Sequence, residues 1–361
     1  MAQALSLARL ALGQVSPNPA VGAVIVKDEA VIGQGYTQPP GGDHAEIVAL
    51  KESGNQARGG ALYVTLEPCV HYGRTSPCVD SIIAAGIAKV HMATIDDNPL
   101  MAGKGKAALQ KAGVRVFVGE EEAEARQLNE AYFKFIKTGL PFVTAKYAMS
   151  LDGKIATREG DSHWISGEEA RHIVHQMRHA SDAVMVGINT ALADNPHLTA
   201  RLGHGQGGLS HHQPLRVVVD NEGRLPRDAA MLAEPGQTLL VLGRKLTARE
   251  KAEYEEAGAE VLVMPDKEGM VDLKGLLGHL GKRNITSLMV EGGGGILGSL
   301  FDAGLVDKVV CFVAPVIIGG AEARVPVGGK GVAKMAEAFR LKRVSISQIG
   351  EDAMVTGYVK E

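Results

Sequence analysis

The feature that most constrains the fold of this chain is a set of three potential metal ligands, His44, Cys69 and Cys78. Two thiolates and one imidazole suit Zn²⁺, and three protein ligands leave a fourth tetrahedral position open to water. A metal at such a site lowers the pKa of that water to near neutrality. A fold for this region must therefore bring these three separated side chains together.

Glu46 follows the first ligand by two residues, where a proton shuttle for an activated water is needed. The order His-x-Glu, Pro-Cys and Cys, with Pro68 before Cys69, is typical of zinc deaminases, in which the glutamate is an acid/base and not a ligand. The alternative is a structural site closed by a fourth protein ligand, for which His71 is the candidate. Because that alternative leaves Glu46 without a role, the pattern favours catalytic zinc with Glu46 as the catalytic residue.

The loop between the two cysteines is unusually long. Many zinc deaminases place two residues there, whereas eight lie between Cys69 and Cys78. His71 and Arg74 are candidates for binding a phosphorylated substrate, because arginine offers a planar fork for phosphate; a solvated loop is the alternative. Glu67 is expected to organise this loop by hydrogen bonds, although a surface carboxylate explains it equally well.

The region around these ligands alternates apolar runs with helical segments, which is typical of an α/β domain. Strands are predicted at residues 22–27, 30–35, 62–66, 90–95 and 114–118. Helices are predicted at residues 2–13, from about residue 44, from a Ser76-Pro77 start to about residue 86, at 105–112 and at 120–137. Cys78 would then lie in a first helical turn, where the helix N-terminus favours a thiolate.

The length of 361 residues favours two domains. The acidic segment 120–137 ends at Thr138-Gly139-Leu140-Pro141, and a new alternation of strands and helices begins after it. We therefore expect a zinc-dependent domain over residues 1–138 and a second α/β domain over residues 142–361.

The second domain is predicted to contain many strands and few helices. Its strands are expected at residues 142–149, 183–186, 216–220, 238–242, 260–264, 287–291 and 308–318, with further strand structure at 344–359. Helices are expected at 168–179 and 273–280. Residues 202–212, rich in glycine and histidine, are interpreted as a mobile loop with surface histidines, since no metal-ligand spacing recurs there.

Four consecutive glycines follow the strand predicted at 287–291, and Gly293-x-Gly295-x-x-Gly298 formally matches the dinucleotide fingerprint. A Rossmann domain is not expected, because only about sixty residues follow and Asp307 comes too early for the ribose-binding acid. Glycines that let backbone N–H groups approach a pyrophosphate at a helix N-terminus explain the run. A tight turn without a ligand is the alternative.

Composition excludes several classes of function. A net charge of −3 and 4% aromatic residues provide neither a basic field nor a stacking surface, so no nucleic-acid partner is expected. No apolar run approaches membrane-spanning length, so no membrane partner is expected. Three cysteines, two of them assigned to metal, exclude a disulfide framework, and residues 2–13 do not resemble a signal peptide. A cytoplasmic location follows as an expectation.

Further motifs run through the chain in order. In the first half they are Pro17-Asn18-Pro19-Ala20-Val21-Gly22, His44-Ala45-Glu46, Thr65-Leu66-Glu67-Pro68-Cys69 and Gly73-Arg74-Thr75-x-Pro77-Cys78. In the second half they are Ser150-Leu151-Asp152-Gly153-Lys154, Trp164-Ile165, Leu192-Ala193-Asp194-Asn195-Pro196 and Glu291-Gly292-Gly293-Gly294. This set resembles the bifunctional deaminase-reductase family of bacterial riboflavin biosynthesis.

The resemblance implies a cytidine-deaminase-like first domain and a dihydrofolate-reductase-like second domain. It implies zinc-dependent deamination of 2,5-diamino-6-ribosylamino-4(3H)-pyrimidinone 5′-phosphate, followed by NADPH-dependent reduction of the ribosyl group to ribityl. The implied partners are small pyrimidine ribosyl phosphates, and a homo-oligomer is expected as well.

The resemblance also implies contacts. NADPH would contact Ala148, Trp164, Thr190, Asp194, Asn221 and the turn formed by Gly293, Gly294, Gly295, Ile296, Leu297, Gly298 and Ser299. The substrates would contact Asn18, His71 and Arg74 in the first domain, and Ser162, Arg178, Leu198, Arg201 and Glu291 in the second.

Several of these positions have a structural alternative. Arg178 and Arg201 suit a phosphate but could be surface charges, and Trp164 could belong to the core. Lys146 and Asp152 could assist proton transfer or form an ion pair. Arg244 and Lys245 are placed to meet a 2′-phosphate, with a surface charge pair as the default.

Two other functions stay open at this level. One is a nucleotide or nucleic-acid deaminase with an unrelated partner domain, which the acidic charge disfavours. The other is a regulatory binding module with structural zinc, which the presence of Glu46 disfavours.

Overall fold

The chain forms two compact units, Met1–Leu140 and Pro141–Glu361, in a computed structural model that describes residues 1–71, 77–162, 165–203 and 208–360. Each unit contains one β-sheet. No helix in this described part of the chain has the length and hydropathy needed to cross a lipid bilayer.

The first unit has helices around a five-stranded sheet. Its strands are β1 (Gly22–Lys27), β2 (Ala30–Tyr36), β3 (Ala61–Val64), β4 (Lys89–Met92) and β5 (Arg115–Val118). Its helices are α1 (Ala2–Leu10), α2 (Ala45–Ser53), α3 (Cys78–Ala84), α4 (Lys104–Lys111), α5 (Glu122–Leu128) and α6 (Glu130–Thr138). The sheet order is β2-β1-β3-β4-β5, antiparallel as far as β3 and parallel from β3 to β5.

Two glycines of β2 allow α2 to lie very close to the sheet. A Cβ atom added to Gly33 would lie 2.3 Å from the carbonyl oxygen of Ala49, and one added to Gly35 would lie 2.6 Å from Cβ of Val48. Larger residues at these strand positions would therefore push the helix away. This close packing fixes the helix whose first turn carries Glu46.

One local prediction for this unit is wrong. Residues 120–137 form two helices, because Asn129 interrupts the helix: its side chain accepts a hydrogen bond from the Ala20 N–H at 2.8 Å and donates one to the Ala20 carbonyl at 2.9 Å. The helix predicted from a Ser76-Pro77 start begins at Cys78, with Pro77 as its N-cap, and Ser76 lies outside the described residues. Cys78 does lie in the first turn, as predicted.

The second unit has helices and a nine-stranded sheet. Its strands are β6 (Phe142–Ser150), β7 (Ala183–Gly187), β8 (Leu215–Val219), β9 (Thr238–Leu242), β10 (Ala259–Val263), β11 (Ser287–Val290), β12 (Lys308–Ala314), β13 (Lys342–Ile349) and β14 (Asp352–Tyr358). Its helices are α7 (Glu168–Ala180), α8 (Ile188–Asp194), α9 (Ala230–Ala233), α10 (Ala248–Glu256), α11 (Leu273–Lys282) and α12 (Gly294–Asp302).

The order of this sheet is β10-β9-β8-β7-β11-β6-β12-β14-β13. The first seven strands of this order, from β10 to β12, are parallel to their neighbours. The two remaining pairings, β12 with β14 and β14 with β13, are antiparallel. Because the carboxyl ends of parallel strands meet at one edge, the segments after β6, β7, β8 and β11 come together there. That edge carries most of the sequence motifs of this half.

Several predictions for this unit are incomplete. Helices α8, α9 and α10 were not predicted, and residues 344–359 form two strands, β13 and β14, which turn at Gly350 with a positive φ of 59°. Leu209, within residues 202–212, forms an isolated antiparallel bridge with Arg201 just before this segment, and residues 204–207 lie outside the described residues. His212 is not a simple surface histidine, since its Nε2 lies 3.2 Å from the Ser181 carbonyl.

Candidate active sites

The three predicted metal ligands lie together in the first unit. The ligand atoms of His44, Cys69 and Cys78 are all within 4.8 Å of one another. Nδ1 of His44 lies 3.2 Å from the Cys78 sulfur and 3.6 Å from the Cys69 sulfur. His44 is the N-cap of α2, Cys78 begins α3, and Cys69 lies in the loop after β3.

The charge on the two sulfurs indicates that this site suits a cation. The hydrogen bond with Cys78 and the nearby His44 lower the pKa of Cys69 to about 4, against the opposing effect of burial. The same hydrogen bond and burial raise the pKa of Cys78, because the sulfurs share one negative charge. A bound metal ion would allow both to ionise. The donor set therefore fits Zn²⁺.

Glu46 is buried beside this cluster, with 4% of its surface exposed. Burial raises the pKa of its carboxyl, and the negative charge of Cys69 adds to that effect. A carboxyl with a raised pKa exchanges protons more readily near neutral pH. Its hydrogen bond with Cys78 keeps it next to the position that the metal would occupy.

Glu67 organises the loop that carries Cys69 by hydrogen bonds, which is the first of the two roles that the sequence allows for it. Its carboxylate accepts backbone N–H bonds from Gly103 and Lys106, both at 2.9 Å, and from Asp96 at 3.3 Å. Glu67 is also buried, which argues against a surface carboxylate. These bonds tie the end of β3 to the first turn of α4.

The predicted substrate contacts of this unit are less defined. Asn18 is exposed and its backbone N–H donates to the Val15 carbonyl at 2.8 Å. His71 is exposed, and its Nδ1 lies 3.1 Å from the sulfur of Met101. Arg74 lies outside the described residues. All three stay predictions.

The second unit contains a cavity of about 1290 Å³ that lies against α7, α8 and the segment that follows α8. Most of the predicted substrate and nicotinamide contacts line it: Ala148, Ser162, Arg178, Thr190, Asp194, Leu198, Arg201 and Glu291. Lys146 lines it as well. The cavity therefore gathers side chains from widely separated stretches of the sequence.

A charged group lies in this cavity. Arg178 donates to both oxygens of Glu291, from Nε at 2.5 Å and from a terminal nitrogen at 2.9 Å. Lys146 Nζ lies 3.9 Å from Glu291. Burial opposes ionisation of Glu291, but Arg178 and Lys146 outweigh it and lower the pKa of that carboxyl. Burial lowers the pKa of Lys146, which makes its ammonium a better proton donor.

The glycine run begins α12, directly after β11. Gly298 and Gly294 permit close backbone packing, since an added Cβ would lie 2.3 Å from Gly328 and 2.5 Å from Val325, respectively. Gly295 differs, because nothing lies within 4 Å of its Cβ position. Close packing therefore explains Gly294 and Gly298, while the approach of a pyrophosphate at Gly295 stays a prediction.

Two other predicted positions do not line the cavity, and a third lies outside the residues that the structure describes. Asn221 is not among the cavity-lining residues, and its Oδ1 accepts the Val271 N–H at 2.8 Å. Asp152 accepts bonds from the Ser150 hydroxyl and the Gly319 N–H, which help lower its pKa to about 2, and these bonds favour a structural role over proton transfer. Trp164 lies outside the described residues.

Arg244 donates to the Glu222 carbonyl, the Lys245 carbonyl and the Glu250 carboxylate at 2.6, 3.1 and 2.8 Å. These bonds support the surface charge pair over a 2′-phosphate contact.

Sequence reasoning missed Thr199, which is buried at this cavity and contacts three basic side chains. Threonine in a loop gives no sequence signal of such a role.

Comparison with known proteins shows matches in both halves. Residues 1–94 match the family described as the cytidine and deoxycytidylate deaminase zinc-binding region, and residues 141–355 match the RibD C-terminal domain. The riboflavin biosynthesis protein RibD of Actinobacillus pleuropneumoniae is 42% identical over 98% of this chain and 93% of its own length. This chain belongs to the RibD family.

Other RibD proteins agree with this assignment. The Escherichia coli K12 protein is 39% identical over 98% of this chain and 96% of its own length. Acinetobacter baumannii RibD superposes with a TM-score of 0.85 at 37% identity, over 99% of this chain and 97% of that one.

A Thermotoga maritima structure described as a diaminohydroxyphosphoribosylaminopyrimidine deaminase/5-amino-6-(5-phosphoribosylamino)uracil reductase has a TM-score of 0.84. It is 33% identical, over 99% of this chain and 97% of that one.

These matches confirm the predicted family, fold class and enzyme type. The RibD chain described here is a deaminase and a reductase of riboflavin biosynthesis, with a cytidine-deaminase-like zinc-binding domain followed by a dihydrofolate-reductase-like domain. It acts on small molecules. The predicted roles of individual residues are a separate matter and are argued below from the geometry.

Proposed function

We propose that this enzyme removes ammonia hydrolytically from 2,5-diamino-6-ribosylamino-4(3H)-pyrimidinone 5′-phosphate and then reduces the ribosyl group to ribityl with NADPH. The observation that carries the proposal is the presence of both a His-Cys-Cys cluster with a buried glutamate and a separate cavity with a Lys-Glu-Arg group. The description of the Thermotoga maritima relative names the same two reactions.

For the first reaction, His44, Cys69 and Cys78 would hold zinc, and Glu46 would move the protons. Zinc, when bound, supplies a water of lowered pKa for attack on the amino-bearing carbon. Glu46 accepts a proton from that water and donates one to the departing amine. Asn18, His71 and Arg74 are proposed to bind the substrate. His71 and Arg74, which belong to the loop between the two cysteines, would lie near its phosphate.

For the second reaction, the proposed nicotinamide contacts are Ala148, Trp164, Thr190, Asp194 and Asn221, with the pyrophosphate at the start of α12. NADPH, when bound, supplies a hydride to the ribose carbon. Gly295 supports this placement, because its open Cβ position leaves room for a ligand beside the first helical turn, whose N–H groups have no acceptor within the helix itself.

The substrate in this cavity would contact Ser162, Leu198, Arg201 and the Lys146-Glu291-Arg178 group. Lys146 is the proposed proton donor when the ribose ring opens, since its lowered pKa favours release of a proton. Glu291 would hold the ribose hydroxyls and orient Lys146, from which it is 3.9 Å away.

We further propose that residues 1–138 carry the deaminase and residues 142–361 the reductase, in a cytoplasmic homo-oligomer with no nucleic-acid or membrane partner. The two compact units support the division.

Three free cysteines support a reducing compartment. Exposed apolar side chains on β13, such as Val344 and Ile346, support burial of that strand against a second copy.

The test is absorbance at the nicotinamide band with the two pyrimidine compounds. The enzyme should oxidise NADPH when given the deaminated pyrimidine phosphate, and ammonia should appear from the diamino compound with or without NADPH. Steady oxidation of NADPH in the absence of either pyrimidine, or no oxidation with the deaminated one, would refute the proposed reductase.

A further inference from the structure

Thr199 connects three basic side chains at the wall of the reductase cavity. Its carbonyl oxygen accepts a hydrogen bond from a terminal nitrogen of Arg178 at 3.1 Å and lies 3.1 Å from Nδ1 of His175. Its hydroxyl accepts a hydrogen bond from Nε of Arg201 at 3.1 Å. Thr199 is 1% exposed, whereas all three partners line the cavity.

The two arginines are not equivalent in this arrangement. Arg178 gives Nε and one terminal nitrogen to Glu291 and the other terminal nitrogen to Thr199, so its fork is fully engaged. Arg201 uses Nε alone, and no acceptor in the described part of the chain contacts its terminal nitrogens. Of these two arginines, Arg201 is therefore the one that can offer two parallel N–H groups to an oxyanion.

The backbone around Thr199 is held on both sides. Leu198 precedes it with a φ of 54°, a left-handed conformation that is unusual for a bulky side chain, and Leu198 is buried. Ala200 follows it, with its N–H donated to the Gln213 side chain at 2.9 Å and its carbonyl accepting the Ser210 N–H at 3.0 Å. The Thr199 hydroxyl is thus a fixed point for the flexible Arg201 side chain.

We propose that Thr199 is a positioning residue for the substrate phosphate in the reductase reaction. By holding Nε of Arg201, its hydroxyl directs the two terminal nitrogens into the cavity and reduces the rotamer freedom that phosphate binding must remove. The inference rests on the proposed function, because it takes the phosphorylated pyrimidine as the ligand of this cavity. Thr199 acts through Arg201 and touches no reacting atom.

The experiment compares the deaminated substrate with its 5′-dephosphorylated form. In the Thr199→Val enzyme, which keeps the shape of the side chain, KM for the phosphorylated substrate should rise about tenfold or more, with kcat nearly unchanged. KM for the dephosphorylated substrate should stay the same. Thr199→Ser keeps the hydroxyl and should restore the wild-type ratio of the two KM values.

A matched control separates positioning from general loosening of the segment. Ser210→Ala removes a hydroxyl near the same segment, one that lies 2.8 Å from His179 Nδ1 and does not contact Arg201. It should leave the ratio of the two KM values unchanged. If Thr199→Val does not fold by circular dichroism, Thr199→Ala provides the same loss of the hydroxyl and the same expected ratio.

The outcomes are distinguishable. Equal effects of Thr199→Val on both substrates, or a lowered kcat with an unchanged KM ratio, would mean a purely structural role and overturn the inference. An additional loss in the Thr199→Val/Arg201→Ala double variant beyond that of Arg201→Ala would also overturn it, since the hydroxyl should act only through Arg201. If the wild-type enzyme fails to oxidise NADPH with both the phosphorylated and the dephosphorylated pyrimidine, that result would instead refute the proposed function itself.

Discussion

At the scale of single residues, the proposed deaminase site consists of a metal-binding cluster and a proton carrier, to which we assign separate roles. Three side chains provide the donors, and Glu46, although two residues from His44, is buried beside them without being needed as a ligand. Variants of the two kinds should therefore fail in different ways.

Loss of a thiolate ligand should remove zinc and deamination together. Cys69→Ala or Cys78→Ala leaves two protein ligands, too few for a tetrahedral catalytic site. Metal analysis of purified protein should show less than about one tenth of the wild-type zinc, and ammonia release should be lost in parallel. Cys311→Ala, which removes the buried cysteine of β12, is the matched control and should keep both. Full zinc content in either ligand variant would mean that another group binds the metal.

Loss of the proton carrier should leave zinc in place. Glu46→Gln keeps the shape of the side chain, so zinc should bind as before, while ammonia release should fall by at least ~10²-fold. Glu52→Gln changes another carboxylate of the same helix, which contacts the Gln34 N–H on the surface, and should be nearly neutral. Near-normal deamination by Glu46→Gln would contradict the assigned role.

At the scale of helices and strands, the start of α12 separates packing from ligand binding. Gly298 faces the backbone of residues 328 and 329, whereas Gly295 faces open space on the same helix. One substitution at each position can distinguish the two roles.

Gly298→Ala should destabilise the protein by about 1–3 kcal/mol, because the new methyl group would overlap backbone atoms that have little room to move. Gly295→Ala should leave the free energy of unfolding unchanged or slightly raise it, since alanine favours a helix. It should nevertheless raise KM for NADPH, by about tenfold if the cofactor pyrophosphate approaches there. Urea unfolding and NADPH titration are the measurements, and an unchanged KM in Gly295→Ala would place the cofactor elsewhere.

Asn129 offers a second test at this scale. Its side chain satisfies both backbone groups of Ala20, so Asn129→Ala leaves a buried N–H and carbonyl without partners and should cost about 1–3 kcal/mol in urea unfolding. Asn55→Ala, at an exposed position, should change the stability by less than about 0.5 kcal/mol. Equal stabilities of the two variants would mean that the helix break does not depend on this contact.

These elements also show what the sequence can and cannot predict. The metal cluster was predictable because each ligand belongs to a short local motif, two of them at helix starts. Helix α10 was missed although Thr247 and Glu250 form a capping box that could have signalled its start. The break at Asn129 and the contacts of Thr199 could not be predicted, because their partners, Ala20 and Arg178, are distant in sequence and meet only in the folded protein.

At the scale of the whole molecule, the account is that one RibD chain carries two complete active sites that work in sequence. The ligands and Glu46 all belong to the unit Met1–Leu140, and the cavity with Lys146, Arg178 and Glu291 belongs to the unit Pro141–Glu361. No proposed catalytic residue is shared, so damage to one reaction should leave the other intact.

The most direct test mixes two full-length variants, Glu46→Gln and Glu291→Gln. Given the diaminopyrimidine phosphate, Glu46→Gln should release little ammonia, and Glu291→Gln should release ammonia but oxidise NADPH at least ~10²-fold more slowly than the wild type. An equimolar mixture should restore NADPH oxidation, with the ribityl product formed after a lag as the deaminated compound accumulates. If the mixture stays inactive although Glu46→Gln alone oxidises NADPH with the deaminated compound and Glu291→Gln alone releases ammonia, the claim of two independent sites is contradicted.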